Sequence, residues 1–401
     1  MDRFDASGAE LRVGGLPLSR LAERVGQTPF YAYDRSLIAA RIAAVRLVLP
    51  PGVRLHYAIK ANPMAALVGF LCPLVDGMDV ASAGELKLAL DAGADPLSIG
   101  FAGPGKRAAE LRQAVASGVL LHVESARELQ LLAKAAQDLG MPARVALRIN
   151  PDFELRGAGM HMGGGAKPFG IDAEQVPAML RSMHQDGVVF EGFHAYPGSQ
   201  NLRGEVIAES LRRTVDMVLR LAQDAPAPVR YVNLGGGWGI PYFPGERRLD
   251  LAPVAEALAQ ATARLAQGLP AAELVLELGR YLVGEAGIYV ARVLDRKVSR
   301  GQVFLVTDGG MHHHLAASGN FGQVIRRNYP VAIGNRLQSA ERESASVVGP
   351  LCTPLDVLAE KLELAVAQPG DLVVVFQSGA YGATASPQTF LGHPACVEVL
   401  V

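Results

Sequence analysis

Lys60 ends a short apolar run, residues 55–60 (Leu-His-Tyr-Ala-Ile-Lys), which predicts a buried strand. A lysine amine is costly to desolvate, so a lysine at a strand end commonly extends along the surface and keeps its charge in water. Burial instead favours the neutral amine, which can condense with an aldehyde to form a Schiff base. Both interpretations fit this segment alone, and the other segments with reactive groups must distinguish them.

A second segment could hold an anion. Residues 233–239 read Asn-Leu-Gly-Gly-Gly-Trp-Gly and follow a predicted strand. The consecutive glycines Gly235, Gly236 and Gly237 would let backbone N–H groups converge on a phosphate. A flexible tight turn is the alternative for this pattern.

A carboxylate and a guanidinium follow another predicted strand, in the segment Glu277-Leu-Gly-Arg280. In an unknown protein the two form either an ordinary ion pair near a helix start or a pair that binds a charged ligand. The three consecutive histidines at residues 312–314 are a weaker signal, since neighbouring strand residues point to opposite faces and no Cys or acidic cluster completes a metal-ligand spacing. We therefore expect no metal there and a substrate loop that runs on to Arg326.

Strands and helices alternate from residue 53 to about residue 287. Eight successive βα units of this kind are typical of a (β/α)₈ barrel. A doubly wound open sheet is the alternative, because alternation alone does not show closure. The predicted strands are residues 53–58, 77–80, 97–101, 119–123, 144–149, 188–194, 230–234 and 273–278.

Catalytic residues of a barrel lie at the C-terminal ends of its strands. Seven of the eight predicted units carry a candidate there: Lys60, Asp79, Glu124, Arg148, His194, Gly235 and Glu277. After residue 287 the helices become few, and Gly and Pro separate short strands, which favours a mostly-β domain. The expected division is an N-terminal segment joining the β domain (1–28), a barrel (29–286) and a C-terminal mostly-β domain (287–401).

Composition excludes several classes of protein. Hydrophobic residues make up 50% of the 401 residues and charged residues 19%, which is typical of a globular chain. The 38 basic and 39 acidic residues nearly cancel, so no electrostatic footprint for nucleic acid or a membrane surface exists. Three cysteines argue against a disulfide framework, and the polar first residues lack a signal peptide, so we expect a cytoplasmic protein.

The motif Tyr57-Ala-Ile-Lys60-Ala-Asn resembles the cofactor lysine motif of the fold type III pyridoxal phosphate-dependent decarboxylases, the family of diaminopimelate, ornithine and biosynthetic arginine decarboxylases. The triple-glycine loop, the Glu277–Arg280 segment and Gly379-Ala-Tyr381 resemble further motifs of that family, in the same order. The resemblance covers about residues 28–401 and is greatest to the branch of exosortase-associated and carrier-linked glutamyl decarboxylases. It implies an alanine racemase-like (β/α)₈ barrel that binds pyridoxal 5'-phosphate, with a C-terminal mostly-β domain.

The resemblance also implies roles for the matching residues. Lys60 would hold the cofactor as a Schiff base, and Glu277 would keep the pyridine nitrogen protonated so that the ring is an electron sink. Asp79 would position the lysine and tune its charge. The other cofactor-binding residues implied are Arg148, His194, Tyr196, Ser199, Gly235, Gly236, Gly237, Gly279, Arg280 and Tyr381.

Cys352 lies in Gly349-Pro-Leu-Cys352-Thr353, which resembles a family segment whose cysteine reaches the neighbouring subunit's site. A lone cysteine is usually a small buried apolar residue, but this context implies that Cys352 returns a proton after CO₂ leaves, since a thiol approaches a planar carbon without bulk. The implied assembly is a homodimer with shared active sites. The other residues expected to contact substrate are His313, Arg326, Thr353 and Asp356.

Departures from the family pattern bear on the substrate. Tyr196 stands where the family has a histidine that stacks on the cofactor ring, and a tyrosine ring still permits stacking. Thr353 stands where diaminopimelate and ornithine decarboxylases have an acidic residue for the distal amine. A hydroxyl cannot replace that charge, so we expect a substrate without a distal ammonium, an acidic or carrier-tethered amino acid rather than diaminopimelate.

Three functions therefore remain in view. The first is a pyridoxal phosphate-dependent decarboxylase that removes the α-carboxylate of an amino acid or amino-acyl derivative. The second is an amino-acid racemase on the same barrel, against which the Cys352 segment argues. The third is a catalytically silent binding protein like those that mimic ornithine decarboxylase, against which the retained Lys60, Glu277 and Arg280 argue.

Overall fold

A computed structural model describes residues 3–6, 8–155, 160–183, 187–323 and 325–401. The chain forms two compact units. The first unit comprises residues 1–41, 241–246 and 282–401, and the second comprises residues 42–240 and 247–281. In the described residues no helix is long and apolar enough to cross a membrane.

The strands and helices are numbered here in chain order. The strands are β1 (Arg12–Val13), β2 (Leu16–Pro17), β3 (Phe30–Tyr33), β4 (Val53–Ala58), β5 (Gly77–Val80), β6 (Ile99–Phe101), β7 (Leu120–Val123), β8 (Ala143–Asn150), β9 (Met160–His161), β10 (Ile171–Asp172), β11 (Val188–Ala195), β12 (Gly198–Ser199), β13 (Tyr231–Gly236), β14 (Glu273–Leu278), β15 (Gly287–Ser299), β16 (Gln302–Thr307), β17 (Val331–Ile333), β18 (Arg342–Val348), β19 (Val357–Ala365), β20 (Leu372–Val375) and β21 (Val397–Leu400). The helices are α1 (Leu18–Val25), α2 (Arg35–Val48), α3 (Ala65–Leu71), α4 (Ala83–Asp91), α5 (Ala108–Ser117), α6 (Ala126–Leu139), α7 (Val176–Ser182), α8 (Gly204–Leu221), α9 (Ala252–Gly268) and α10 (Arg280–Val283).

The second unit is a closed parallel barrel. Its strands pair in the order β4, β5, β6, β7, β8, β11, β13 and β14, and β14 pairs with β4 to close the ring. The (β/α)₈ prediction is therefore confirmed, and the alternative of an open sheet is wrong. Closure places the carboxyl ends of all eight strands around one rim, where βα loops of a barrel build sites.

Local sequence fixes several helix starts just beyond that rim. Ser82 caps α4 by accepting a hydrogen bond from the Glu85 backbone N–H at 3.2 Å, and Ser125 caps α6 in the same way through Glu128. A serine at this position satisfies an N–H group that has no partner within the helix. Each cap fixes the point at which the chain leaves the strand end and turns into the helix.

The first unit is mostly β and uses both ends of the chain. The long strand β15 pairs with β16, β20 and β3, and β21 runs parallel to β3. Its core joins N-terminal residues such as Phe30 to Ile288 and Phe376. This unit reaches Arg41, whereas the sequence suggested a boundary at residue 28, and it includes β3, which pairs with β15.

Candidate active site

Lys60 and Glu277 meet at the rim where β4 and β14 end. The two strands are neighbours, with Glu277 in register with His56, and Lys60 follows β4 in a short turn. The Lys60 Nζ lies 3.3 Å from Glu277 Oε1, and the carboxylate is only 4% exposed. A Cβ on Gly279 would lie 2.9 Å from the Ala61 side chain, so this glycine permits the close approach of the two chain segments.

Glu277 is ionised by its neighbours in spite of its burial. Burial alone would raise the pKa of Glu277, but the Lys60 amine and the His194 imidazole outweigh it and hold that pKa well below its usual value. His194 Nε2 lies 3.4 Å from Glu277 Oε2. The Lys60 Nζ also lies 5.3 Å from the centre of the Tyr196 ring, which places an aromatic face beside the amine.

The triple-glycine loop forms a narrow cradle beside this group. Gly235 and Gly237 have φ angles of +70° and +74°, which disfavour side chains. A Cβ on Gly236 would lie 1.9 Å from the Glu277 carbonyl oxygen, and one on Gly237 would lie 2.0 Å from the Gly198 carbonyl oxygen. The loop therefore packs directly between β14 and the strand that contains Ser199, and only glycine fits there.

Arg148 is buried at the end of β8 and is held by a carboxylate. Its Nη1 lies 2.8 Å from Glu124 Oε1, while Glu124 also accepts hydrogen bonds from the Gly103 and Gly170 backbone N–H groups. Burial would raise the pKa of Glu124, but the nearby Arg148 and Lys106 hold it below its usual value. The arginine head group is thus fixed at the rim.

Asp79 is buried at the end of β5, and its role in positioning the lysine stays a prediction. It pairs with His56, whose Nδ1 lies 3.2 Å from Asp79 Oδ2, whereas Glu277 is the carboxylate next to Lys60. Burial and the Glu277 charge raise the pKa of Asp79, and His56 opposes that rise. Asp79 lies one layer below the lysine, because its strand partner is Ala58 in β4.

Sequence reasoning missed several buried polar residues of the barrel, among them His56, Lys106 and His122. His122 packs its ring 4.4 Å from that of His194, and Lys106 pairs with Glu128 at 2.7 Å. A polar residue inside a strand that is otherwise apolar was the available signal for His56 and His122. Lys106 precedes a helix and carried no comparable signal.

Arg280 begins α10 and belongs to the second unit, whereas the remaining predicted residues lie in the first unit. Cys352 is exposed, and its thiol is free of any disulfide to the described cysteines. Asp356 holds its loop, because its carboxylate accepts hydrogen bonds from the Met311 and Leu351 backbone N–H groups at 2.6 and 2.8 Å. Thr353 Oγ1 accepts from the Leu355 N–H at 3.3 Å. These contacts organise the Cys352 loop.

His313 and Arg326 also have protein partners. His313 is buried, with Nε2 at 2.8 Å from the Pro394 carbonyl oxygen, and Arg326 donates to the Val357 carbonyl. Tyr381 has a φ of +54°, which is uncommon for a residue with a side chain. The predicted contacts of His313 and Arg326 with substrate, and of Tyr381 with the cofactor, stay predictions.

The barrel site has the parts that an aldehyde cofactor with a phosphate requires. It offers an amine for the aldehyde, a buried carboxylate for a ring nitrogen, an aromatic face and a glycine cradle for the phosphate. Pyridoxal 5'-phosphate carries all of the complementary groups. The residues present therefore fit this cofactor.

Comparisons with known proteins agree with this fit. The family described as pyridoxal-dependent decarboxylase, pyridoxal binding domain, matches residues 35–284. The L-glutamyl-[BtrI acyl-carrier protein] decarboxylase of Niallia circulans is 40% identical over 93% of this chain and 89% of its own, and the diaminopimelate decarboxylase of Aquifex aeolicus is 33% identical over 98% and 90%. The crystal structure of diaminopimelate decarboxylase from Helicobacter pylori, complexed with L-lysine, superposes with a TM-score of 0.84 at 28% identity over 96% and 94% of the two chains.

The fold and the site thus define an alanine racemase-like barrel enzyme that uses pyridoxal 5'-phosphate. The chain belongs to the pyridoxal-dependent decarboxylases, which are carboxy-lyases. The predictions of family, fold, cofactor and decarboxylase activity are confirmed. The racemase and the silent binding protein are not favoured.

Proposed function

We propose that this decarboxylase removes the α-carboxylate of a glutamyl or similarly acidic amino-acyl group tethered to a carrier. The observation that carries its chemistry is the Lys60–Glu277 pair, 3.3 Å apart at the C-terminal rim of the barrel. Thr353 supports the substrate class, because a hydroxyl offers no charge to a distal ammonium. The 40% identity to a decarboxylase named for a carrier-bound glutamyl group supports the tether.

Each residue of the rim then has one task. Lys60 binds the cofactor through its amine, and Glu277 keeps a proton on the pyridine nitrogen. The backbone of Gly235, Gly236 and Gly237, with Ser199 and Arg280, holds the phosphate. Bound in this way, the cofactor supplies an electron sink for the pair of electrons that the departing CO₂ leaves behind.

Three further residues orient the ring. Tyr196 covers one face of the pyridine ring, as its position beside the Lys60 amine suggests. His194 contacts Glu277 and fixes that carboxylate. Arg148, held by Glu124, would bind the cofactor's phenolic oxygen. Deeper in the barrel than these three residues, Asp79 pairs with His56.

Cys352 completes the reaction by returning a proton to the α-carbon, so one CO₂ leaves for each proton consumed. Its exposure and its ordered loop suit a residue that acts outside its own subunit. We assign it to the site of a second copy, which makes the enzyme a homodimer with shared active sites. The residues near this loop that we expect to contact the substrate are His313, Arg326, Thr353 and Asp356.

CO₂ release by the cofactor-loaded protein tests this proposal. The panel holds free diaminopimelate, lysine and ornithine, free glutamate and aspartate, and glutamyl and aspartyl thioesters on a carrier protein. We expect release from the carrier-bound acidic group. Efficient release from diaminopimelate, lysine or ornithine would contradict the substrate, and racemisation without CO₂ release would contradict the reaction.

A further inference from the structure

Below Glu277 the barrel interior contains four buried titratable side chains where packed aliphatic layers usually fill such a barrel. They are His56, Asp79, His122 and His194. Two strand glycines make room for them, since a Cβ on Gly77 would lie 2.4 Å from His56 Nε2 and one on Gly100 would lie 2.5 Å from Asp79 Oδ1. Glycine weakens a strand interior, so its use at both places indicates a cavity shaped for polar groups.

The four groups lie one after another between this region of the barrel interior and Glu277. His56 Nδ1 lies 3.2 Å from Asp79 Oδ2, and the Asp79 carboxylate and the His122 ring both crowd the Cβ position of Gly100, at 2.5 and 3.1 Å. The His122 and His194 rings are 4.4 Å apart, and His194 Nε2 is 3.4 Å from Glu277 Oε2. Imidazole and carboxylate side chains are the groups that most often transfer protons in proteins.

Ordinary structural hydrogen bonding does not account for these groups. Within the described parts of the chain, both ring nitrogens of His122 and His194 and both carboxylate oxygens of Asp79 have no hydrogen bond of good geometry. A buried polar group without a partner destabilises a fold, so each one requires an explanation. Packing alone would have favoured aliphatic side chains at these four positions.

The far end of the series reaches a cavity at the opposite end of the barrel. This cavity has a volume of about 320 Å³, lies where the strands begin, and is lined by His56 together with Tyr231 and charged residues. Its mouth carries two ion pairs, Arg54–Glu273 at 3.1 Å and Arg144–Glu191 at 3.0 Å. The lining is polar and roomy enough for water to reach His56.

We propose that His56, Asp79, His122 and His194 form a proton path from this cavity to Glu277. The inference rests on the proposed function, in which Glu277 holds the proton of the cofactor's pyridine nitrogen. The proton on the pyridine nitrogen passes to Glu277 and then through His194, His122 and Asp79 to His56, which releases it to water in the cavity. A proton from solvent returns by the reverse transfers, so the net charge is unchanged. Arg148 is a further cation near Glu277 at the rim, whereas the Lys60 nitrogen is committed to the cofactor.

Such a path lets the pyridine nitrogen exchange its proton with solvent while a substrate fills the rim. His56, Asp79 and His122 are therefore positioning residues that act through Glu277. A merely structural role would affect folding and cofactor binding but would not set the rate of proton exchange at this nitrogen. That rate is the property to measure.

The experiment observes the low-field NMR resonance of the pyridinium N–H in the cofactor-loaded protein and measures its exchange with solvent. We expect His56→Ala to slow the exchange by about tenfold or more. Free imidazole should restore it, because the shortened side chain opens onto the 320 Å³ cavity. Asp79→Asn, which keeps the shape of the side chain, should slow it as well. Tyr231→Phe is the control that lines the same cavity and should exchange like the wild type.

Unchanged exchange in both His56→Ala and Asp79→Asn would overturn the path. Slow exchange that imidazole does not restore would also overturn it, since it would indicate a structural change. A wild-type protein that takes up no pyridoxal 5'-phosphate, and so shows neither its absorption band nor the resonance, would contradict the proposed function and the path together. The first two outcomes leave the proposed function intact.

Discussion

The charges at the rim are arranged as one small network. Glu277 is buried, yet it is ionised because the Lys60 amine and the His194 imidazole lie within 3.4 Å of its two carboxylate oxygens. Once the Lys60 nitrogen is committed to the cofactor, a protonated pyridine nitrogen can replace the amine as the cation that Glu277 faces. The same carboxylate is thus stabilised by one cation before loading and by another after it.

Glu277→Gln tests this role. We expect the variant to bind the cofactor but to lose about 100-fold in kcat, because a neutral amide cannot stabilise a pyridinium ion. Steady-state kinetics and the absorption band of the bound cofactor measure the two effects separately. Glu209→Gln, an exposed carboxylate paired with Arg212 on α8, is the matched control and should behave like the wild type. Equal kcat values for Glu277→Gln and the wild type would refute the assignment.

Asp79 gives a pH-dependent prediction for stability. Its pKa is raised in the fold by burial and by Glu277, so its contribution to stability is present below its ordinary pKa of 3.8 and is lost as the pH rises through the higher folded value. An asparagine in its place would resemble the protonated acid at every pH. We therefore expect Asp79→Asn to unfold at a higher urea concentration than the wild type at pH 8, with the difference closing as the pH falls. If the wild type instead proves more stable than Asp79→Asn at pH 8, the ionised Asp79 stabilises the fold and the prediction is contradicted.

At the level of elements, glycines set how closely the strand ends approach. Gly236 is in register with Glu277 on the adjacent strand. Because glycine has no side chain, the two backbones pack so closely that a Cβ atom would not fit between them. The strand end, the cradle and the carboxylate are therefore positioned together. Displacing one strand end would move both the phosphate cradle and Glu277.

Gly236→Ala should displace β13 from β14, because its Cβ would lie 1.9 Å from the Glu277 carbonyl oxygen. We expect cofactor affinity to fall by about tenfold or more and the melting temperature to drop. Gly69→Ala in α3 is the control, since nothing lies within 4 Å of its Cβ and alanine favours a helix. Cofactor titration and thermal unfolding measure both quantities. Wild-type affinity in Gly236→Ala would contradict the close packing.

The sequence predicted the barrel strands well where apolar runs were bounded by turn residues. The bounds predicted for β4, β5 and β14 coincide with the structure. Residues 97 and 98 are instead part of a 3₁₀ turn, because Pro96 follows Asp95, whose carboxylate accepts a hydrogen bond from the Leu97 N–H. At the site, Lys60, Glu277 and the glycine loop were visible as motifs, whereas the contact between Asp79 and His56 depends on strand register.

The whole molecule draws one unit from both chain ends, which local patterns do not reveal. The strand β3 (Phe-Tyr-Ala-Tyr) is buried on both faces and shows no alternation, so it gave no clear signal. The strand β19 is rich in Glu, Lys, Leu and Ala, which favour helices, yet it pairs with β18. In both cases tertiary pairing overrides the local preference.

The proposed homodimer predicts complementation between two inactive variants. Lys60→Ala lacks the cofactor amine and Cys352→Ala lacks the proton donor, so each alone should have little activity. If Cys352 serves the partner's site, a hybrid dimer contains one site with both residues intact. Random mixing should then recover about a quarter of the wild-type activity. Activity assays on co-refolded variants measure this, and no recovery in verified hybrids would place Cys352 in its own subunit's site.

The central claim is that Lys60 carries the cofactor, and its most direct test is chemical. Borohydride reduction of the loaded protein fixes the cofactor on the lysine that holds it, and peptide mass spectrometry then locates the modified residue. The account predicts the label on Lys60 and no stable label in Lys60→Ala. A label on another lysine, such as the buried Lys106 that pairs with Glu128, would contradict the account.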